Sequence, residues 1–155
     1  MNDASMKSSV ENWKVLILMD AVSKEELERW QKRVITGTQS TGLTEDDVKD
    51  TELFKLAQAY APGLKLIHCL LFNIVAGHET EMHKDVGEWV VLFYPYSCPT
   101  GPLRVEVDGL VSDISVEENM MVVLDCTNIP HQQMVPTDGS TRFSVAFKFR
   151  LPVGP

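Results

Sequence analysis

His83-Lys84-Asp85, then His131, then Arg142-Phe143-Ser144 are the residues whose types and spacing could do chemistry together. Two imidazoles and one carboxylate on a single metal ion leave coordination positions open, and that ligand set suits Fe(II). His83 and Asp85 are two apart, so an extended backbone points both side chains to one face. His131 follows after two hairpins that can fold the chain back, and Pro130 before it favours extended backbone. Arg142 stands eleven positions past His131, and its planar fork could hold the far carboxylate of a bound 2-oxoacid. From Arg142 to Phe149 the chain alternates. Phe143, Val145, Phe147 and Phe149 share one face, expected against the core or the helices, and Arg142, Ser144, Ala146 and Lys148 share the other. A buried arginine needs a partner, and Ser144 could donate to the same carboxylate.

A rival ligand set, His78, Glu79 and Glu81, lies just upstream. The five-residue step from His78 to His83 suits neither one helix face nor one strand face, so His78 is expected in a turn at the rim. A structural zinc site would be closed and usually cysteine-rich, but no cysteine stands beside this pattern and there is no H-E-x-x-H. His68, next to Cys69 in an apolar run, reads as packed or outward-facing. Cys69 and Cys126 read as small buried hydrophobes, and Cys98, in a Pro-rich loop, as exposed.

The elements that must position these residues change character along the chain. Residues 1–11 are expected to be a mobile tail, with a single domain over 12–155. Trp13 to Met19 is an apolar run of strand length. Ser23 to about Val34 predicts a helix, with Ser23 and Glu26 as a capping box and Leu27, Trp30 and Val34 on one face. Gly37 to Gly42 predicts a flexible loop, and Thr44 to Tyr60 one or two short helices with acidic caps. Strand runs follow at Leu64–Val75, Trp89–Tyr94, Leu103–Val107, Leu110–Ile114, Met120–Leu124, His131–Val135 and Arg142–Phe149. Asp108-Gly109 is the clearest hairpin signal, and Asp138-Gly139 marks a second turn. Helices first and then many short strands predict a mainly β (α+β) fold, with N-terminal helices on one face of an all-β core.

Composition narrows the partners. The net charge of -8 and the absence of a basic stripe argue against nucleic acid. No apolar run is long enough to span a membrane. Met1 to Lys7 is polar and lacks the apolar core of a signal peptide, so the expected location is cytoplasmic. The 44% hydrophobic and 23% charged fractions are those of an ordinary globular chain, monomer or homodimer.

From Leu64 to Phe149 the chain resembles the Fe(II)- and 2-oxoglutarate-dependent dioxygenases, whose HxD…H triad and Arg-x-Ser match His83, Asp85, His131, Arg142 and Ser144. Gly77 to His83 and Pro130 to Arg142 look like that family's two signature segments, and Val15 to Trp30 like the strand and helix that often precede its barrel. The resemblance implies a double-stranded β-helix (a jelly-roll or cupin-like barrel). It implies Fe(II) on the triad and 2-oxoglutarate with its C5 carboxylate on Arg142 and Ser144. O2 and 2-oxoglutarate would be consumed, succinate and CO2 released, and a C–H bond oxidised, most often by hydroxylation. Related halogenating enzymes lack the carboxylate ligand, so Asp85 favours oxygenation. The family often has a tyrosine near position 74, where this chain has Phe72-Asn73-Ile74. Tyr94, Tyr96 or Asn73 is left as the donor to the cosubstrate. Trp89, Phe93 and the loop Pro95 to Pro102 are expected to form a substrate wall, and Gly37 to Gly42 a lid. Arg104 is expected at the surface, with a substrate carboxylate as its other possible partner. A small-molecule substrate comes first and a protein side chain second. A cupin-like metal enzyme without 2-oxoglutarate and a ligand-binding barrel stand as alternatives.

Overall fold

The computed structural model describes residues 15–36, 40–75 and 80–152. The expected tail, Trp13, Gly37 to Gln39, and His78 and Glu79 of the rival ligand set lie outside these residues. Twelve elements follow in order: β1 (Val15–Leu18), α1 (Lys24–Thr36), β2 (Ser40–Leu43), α2 (Glu45–Val48), α3 (Glu52–Ala59), β3 (Lys65–Ile74), β4 (Glu88–Tyr94), β5 (Cys98–Val107), β6 (Leu110–Val116), β7 (Met120–Leu124), β8 (His131–Gln133) and β9 (Arg142–Arg150). A major sheet runs β1-β7-β4-β9-β3-β2 and a minor sheet β6-β5-β8, with every pairing antiparallel. Among the described residues no helix is long and apolar enough to cross a membrane.

The central strands of the major sheet are buried on both faces. Trp89, Val91, Phe93, Met121, Val123, Val145, Phe147 and Phe149 pack with Trp30, Val34, Leu53, Phe54 and Ala57 of the helices. Trp30 meets the edge of Phe147 at 6.3 Å, and Phe54 stacks on Phe149 at 6.5 Å. Each such side chain contributes about 1.5–3 kcal/mol by leaving water. The alternate residues, Val90, Leu92, Tyr94, Met120, Val122, Leu124 and Ala146, pack instead with Leu103, Val105 and Val116 of the minor sheet. The site lies in this inner layer.

Several local expectations change form. Ser23 Oγ accepts from Glu26 N at 3.3 Å, but Glu26 does not reach back. Its buried carboxylate accepts Leu53 N at 2.7 Å at the start of α3, and Glu52 there accepts Ser23 N at 2.8 Å and the Ser23 hydroxyl at 2.6 Å. The two helix starts therefore cap each other. Ser40–Leu43 is an edge strand paired with Cys69–Phe72 rather than part of a lid, because its main chain completes the hydrogen bonding of β3. β5 begins early, at Cys98, which brings that cysteine into the inner layer at 1% exposure rather than onto the surface. Asp108 and Gly109 both take positive φ, 53° and 81°, the backbone of a tight hairpin turn between β5 and β6.

Candidate metal centre

His131 lies on β8, opposite Val105 of β5. His83 pairs with it as an isolated antiparallel bridge, and the Asp85 N–H is held by Cys126 O at 2.9 Å just past β7. One ligand atom each from His83, Asp85 and His131 lies within 4.8 Å of the others. Asp85 Oδ2 stands 3.2 Å from His131 Nε2 and 3.5 Å from His83 Nε2. The Nδ1 atoms face main-chain carbonyls, Glu81 O at 2.8 Å for His83 and Ile129 O at 2.9 Å for His131. A carbonyl accepts only, so each Nδ1 is placed to donate, and with an ion bound each Nε2 lone pair would face it. The donor set fits a divalent cation with open positions. His131 is nearly buried at 8% exposure, whereas His83, at 47%, stands at the mouth.

The three residues line a cavity of about 440 Å³. Phe72, Ile74, Val90, Leu92, Leu124 and Ala146 give it apolar walls, and Thr80, Glu81, Gln133 and Lys148 give polar points. Lys148 Nζ is 3.7 Å from Glu88 Oε2. Cys126 also lines the cavity, with its Sγ 3.7 Å from His131 Nε2.

Arg142 and Ser144 are fully buried at the start of β9. Among the described residues Arg142 forms no ion pair. Nε donates to Gly101 O at 2.8 Å, Nη2 to Pro102 O at 2.8 Å and to Met134 O, and Nη1 to Gln133 Oε1. Burial lowers the Arg142 pKa from its ordinary value, with the nearby Tyr94 opposing the shift. The Ser144 hydroxyl makes no hydrogen bond among the described residues. Tyr94 Oη donates to Gln133 Oε1 at 3.1 Å, and burial pushes its phenol well above the ordinary range, so it stays a donor. A buried guanidinium held only by neutral oxygens, beside an unused hydroxyl, suits a carboxylate. An uncompensated buried charge costs several kcal/mol.

Other expected residues fall elsewhere. Asn73 is on the opposite face of β3 from Phe72 and Ile74, and its amide donates to Val34 O at 3.2 Å, so it does not reach the cavity. Tyr96 packs on Phe143 at 5.4 Å in the helix-side layer. Trp89 and Phe93 also point there, the Trp89 indole donating to Tyr60 O at 3.0 Å, and Val90 and Leu92 form the wall instead. Arg104 pairs with Asp113 at 2.8 Å on the surface. Sequence reasoning misses Gln133 and Cys126 as pocket residues, whereas Lys148 lines the cavity on the face that the alternation of β9 gives it. The two-residue step from His131 to Gln133 is the available signal for the first.

Fold and ligand group together define a double-stranded β-helix with a His-x-Asp…His cradle in its inner layer. Neither a protein-family model nor a curated protein sequence matches the chain. Solved structures do match in fold. HygX from Streptomyces hygroscopicus, with nickel and 2-oxoglutarate bound, superposes with a TM-score of 0.73 at 9% identity, over 97% of this chain and 87% of HygX. A Pseudomonas putida prolyl-4-hydroxylase gives 0.72 at 14% identity, over 96% of this chain and 98% of its own. The viral collagen prolyl hydroxylase of Paramecium Bursaria Chlorella virus-1 gives 0.70 at 9% identity, over 92% and 93%. This chain has the fold that these enzymes share.

Proposed function

We propose that this chain is an Fe(II)- and 2-oxoglutarate-dependent oxygenase that hydroxylates a C–H bond of a small molecule. One observation carries the proposal: two Nε2 atoms and a carboxylate converge within 4.8 Å in a largely apolar cavity. In the reaction, substrate, O2 and 2-oxoglutarate give hydroxylated substrate, succinate and CO2. Bound iron would supply the redox chemistry with O2. His83, Asp85 and His131 would hold it, with the imidazoles oriented by Glu81 O and Ile129 O. Arg142 would anchor the distal carboxylate of 2-oxoglutarate, with Ser144 and Tyr94 as hydroxyl donors. Tyr94, which meets the cavity through Gln133, would take the part that the chain lacks near position 74. The apolar walls from Phe72 to Leu124 offer water few hydrogen-bond partners beside the reacting centre. A cavity of about 440 Å³ suits a small molecule beside the cosubstrate.

Anaerobic addition of Fe(II), then 2-oxoglutarate, tests this. A visible metal-to-ligand charge-transfer band should appear, vanish in His83→Ala and weaken in Arg142→Met. No band from intact wild-type protein would remove the oxygenase assignment.

A further inference from the structure

Gln133 is two residues from His131 on β8, so both side chains take the inward face. Its Oε1 accepts from Arg142 Nη1 and from Tyr94 Oη, while the side chain also lines the cavity. The other acceptors on the guanidinium are main-chain carbonyls of Gly101, Pro102 and Met134. Those three are fixed by the backbone. Gln133 is the partner held on a rotatable side chain, and it lines the cavity of the candidate metal ligands, which Arg142 does not.

We propose that Gln133 is a displaceable cover on the Arg142 anchor, moved aside by 2-oxoacids that carry a second carboxylate and weakening their binding by the cost of that exchange. This rests on the oxygenase assignment above. An incoming carboxylate offers a charged oxygen to the two donors that Gln133 now satisfies. It also offers an acceptor to the Ser144 hydroxyl, which has none among the described residues. Arg142 already donates with its own charge, but to a neutral amide; a carboxylate adds the opposite charge and a bidentate fit, so it wins the exchange and the amide rotates towards the cavity. A 2-oxoacid without that carboxylate has nothing to trade and leaves the cover closed. Apparent affinity for 2-oxoglutarate is therefore reduced by the fraction of molecules in which the anchor is covered.

The test is calorimetric titration of the full Mn(II)-loaded chain with 2-oxoglutarate and with 2-oxovalerate, which has the same carbon chain without the second carboxylate. Gln133→Leu removes the cover and should tighten 2-oxoglutarate binding about tenfold, the worth of one hydrogen bond. Gln133→Glu supplies a built-in carboxylate to Arg142 and should weaken it by at least about tenfold, with the fold retained. Binding of 2-oxovalerate should stay within about twofold in both variants. Weaker or unchanged 2-oxoglutarate binding in Gln133→Leu would overturn the proposal, because Gln133 would then be a direct ligand or a bystander. Wild-type affinity in Gln133→Glu would also overturn it. If wild-type protein binds Mn(II) but no 2-oxoglutarate, the oxygenase assignment itself falls.

Discussion

His83 and His131 exchange both main-chain hydrogen bonds across antiparallel backbone, His83 N to His131 O at 3.0 Å and His131 N to His83 O at 2.9 Å. Their rings lie side by side, with centroids 4.5 Å apart. The spacing of the two candidate metal ligands is thus set by backbone pairing that uses neither ring. His83→Ala and His131→Ala should each weaken metal binding by more than about a hundredfold, since losing even an outer-shell partner costs up to that much. The circular dichroism spectrum should be unchanged. Unfolding of His83→Ala would show that the ring, not the main chain, holds this pair together.

Gly101 sits where a side chain does not fit. A Cβ there would stand 3.1 Å from Cys98 Sγ, Met134 O and Pro136 Cγ, and the Gly101 carbonyl is the Nε acceptor of Arg142. Gly101→Ala should cost about 1–3 kcal/mol in urea unfolding, as overpacking does. It should also weaken 2-oxoglutarate binding without changing metal affinity.

The reciprocal caps predict coupled helices. Glu26→Ala leaves the Leu53 N–H without its acceptor and should destabilise the fold by about 1–2 kcal/mol in denaturant titration. Glu52→Gln tests the other half.

The pH dependence of that second cap follows from its partners. The Ser23 hydroxyl and N–H hold the Glu52 carboxyl below its ordinary value. A depressed pKa stabilises the fold above the unfolded carboxyl's value, near about 4.3, and the contribution is lost as pH falls through the folded value. The stability gap between wild type and Glu52→Gln should therefore close in acid and be full at neutral pH, by thermal melts at each pH.

Burial pushes the Cys69 thiol up to about 12, and Cys98 and Cys126 are equally enclosed. A disulfide-exchange reagent at pH 8 should label the native protein slowly and all three thiols promptly in denaturant, because the reagent must reach a buried sulfur. Fast native labelling would show that the layers open.

A strand's orientation is legible in the sequence when one face is polar and hidden when neither is. On β9 the alternation of Arg142, Ser144 and Lys148 with Phe143, Val145 and Phe147 assigns both faces from residue types alone. Glu88 to Tyr94 offers no such contrast, being apolar and buried on both sides after its first residue. Its residue types therefore allow Trp89 and Phe93 on the pocket side that Val90 and Leu92 occupy. Pairing settles the matter, since Phe93 lies beside Val145 and shares its face. Position in the chain puts Asn73 near the cosubstrate, but strand parity turns it towards α1. The triad is legible because an HxD pair on extended backbone is local geometry. Gln133 is not, because its importance depends on Arg142 and Tyr94, from two other strands, meeting one amide oxygen.

Three strands, β4, β7 and β9, are shared by the helix-side layer and the cavity-side layer. Densely packed interiors pass displacement on rather than absorb it. A substitution at Phe147 or Val91, on the helix side of the sheet, acts on the backbone that carries Ala146, Lys148 and Leu92 on the cavity side. The candidate ligands His83 and His131 stay on their own backbone bridge. Natural variation can therefore reshape the chamber from behind its wall without touching the candidate ligands, which gives the helices a hand in the shape of a space they do not line.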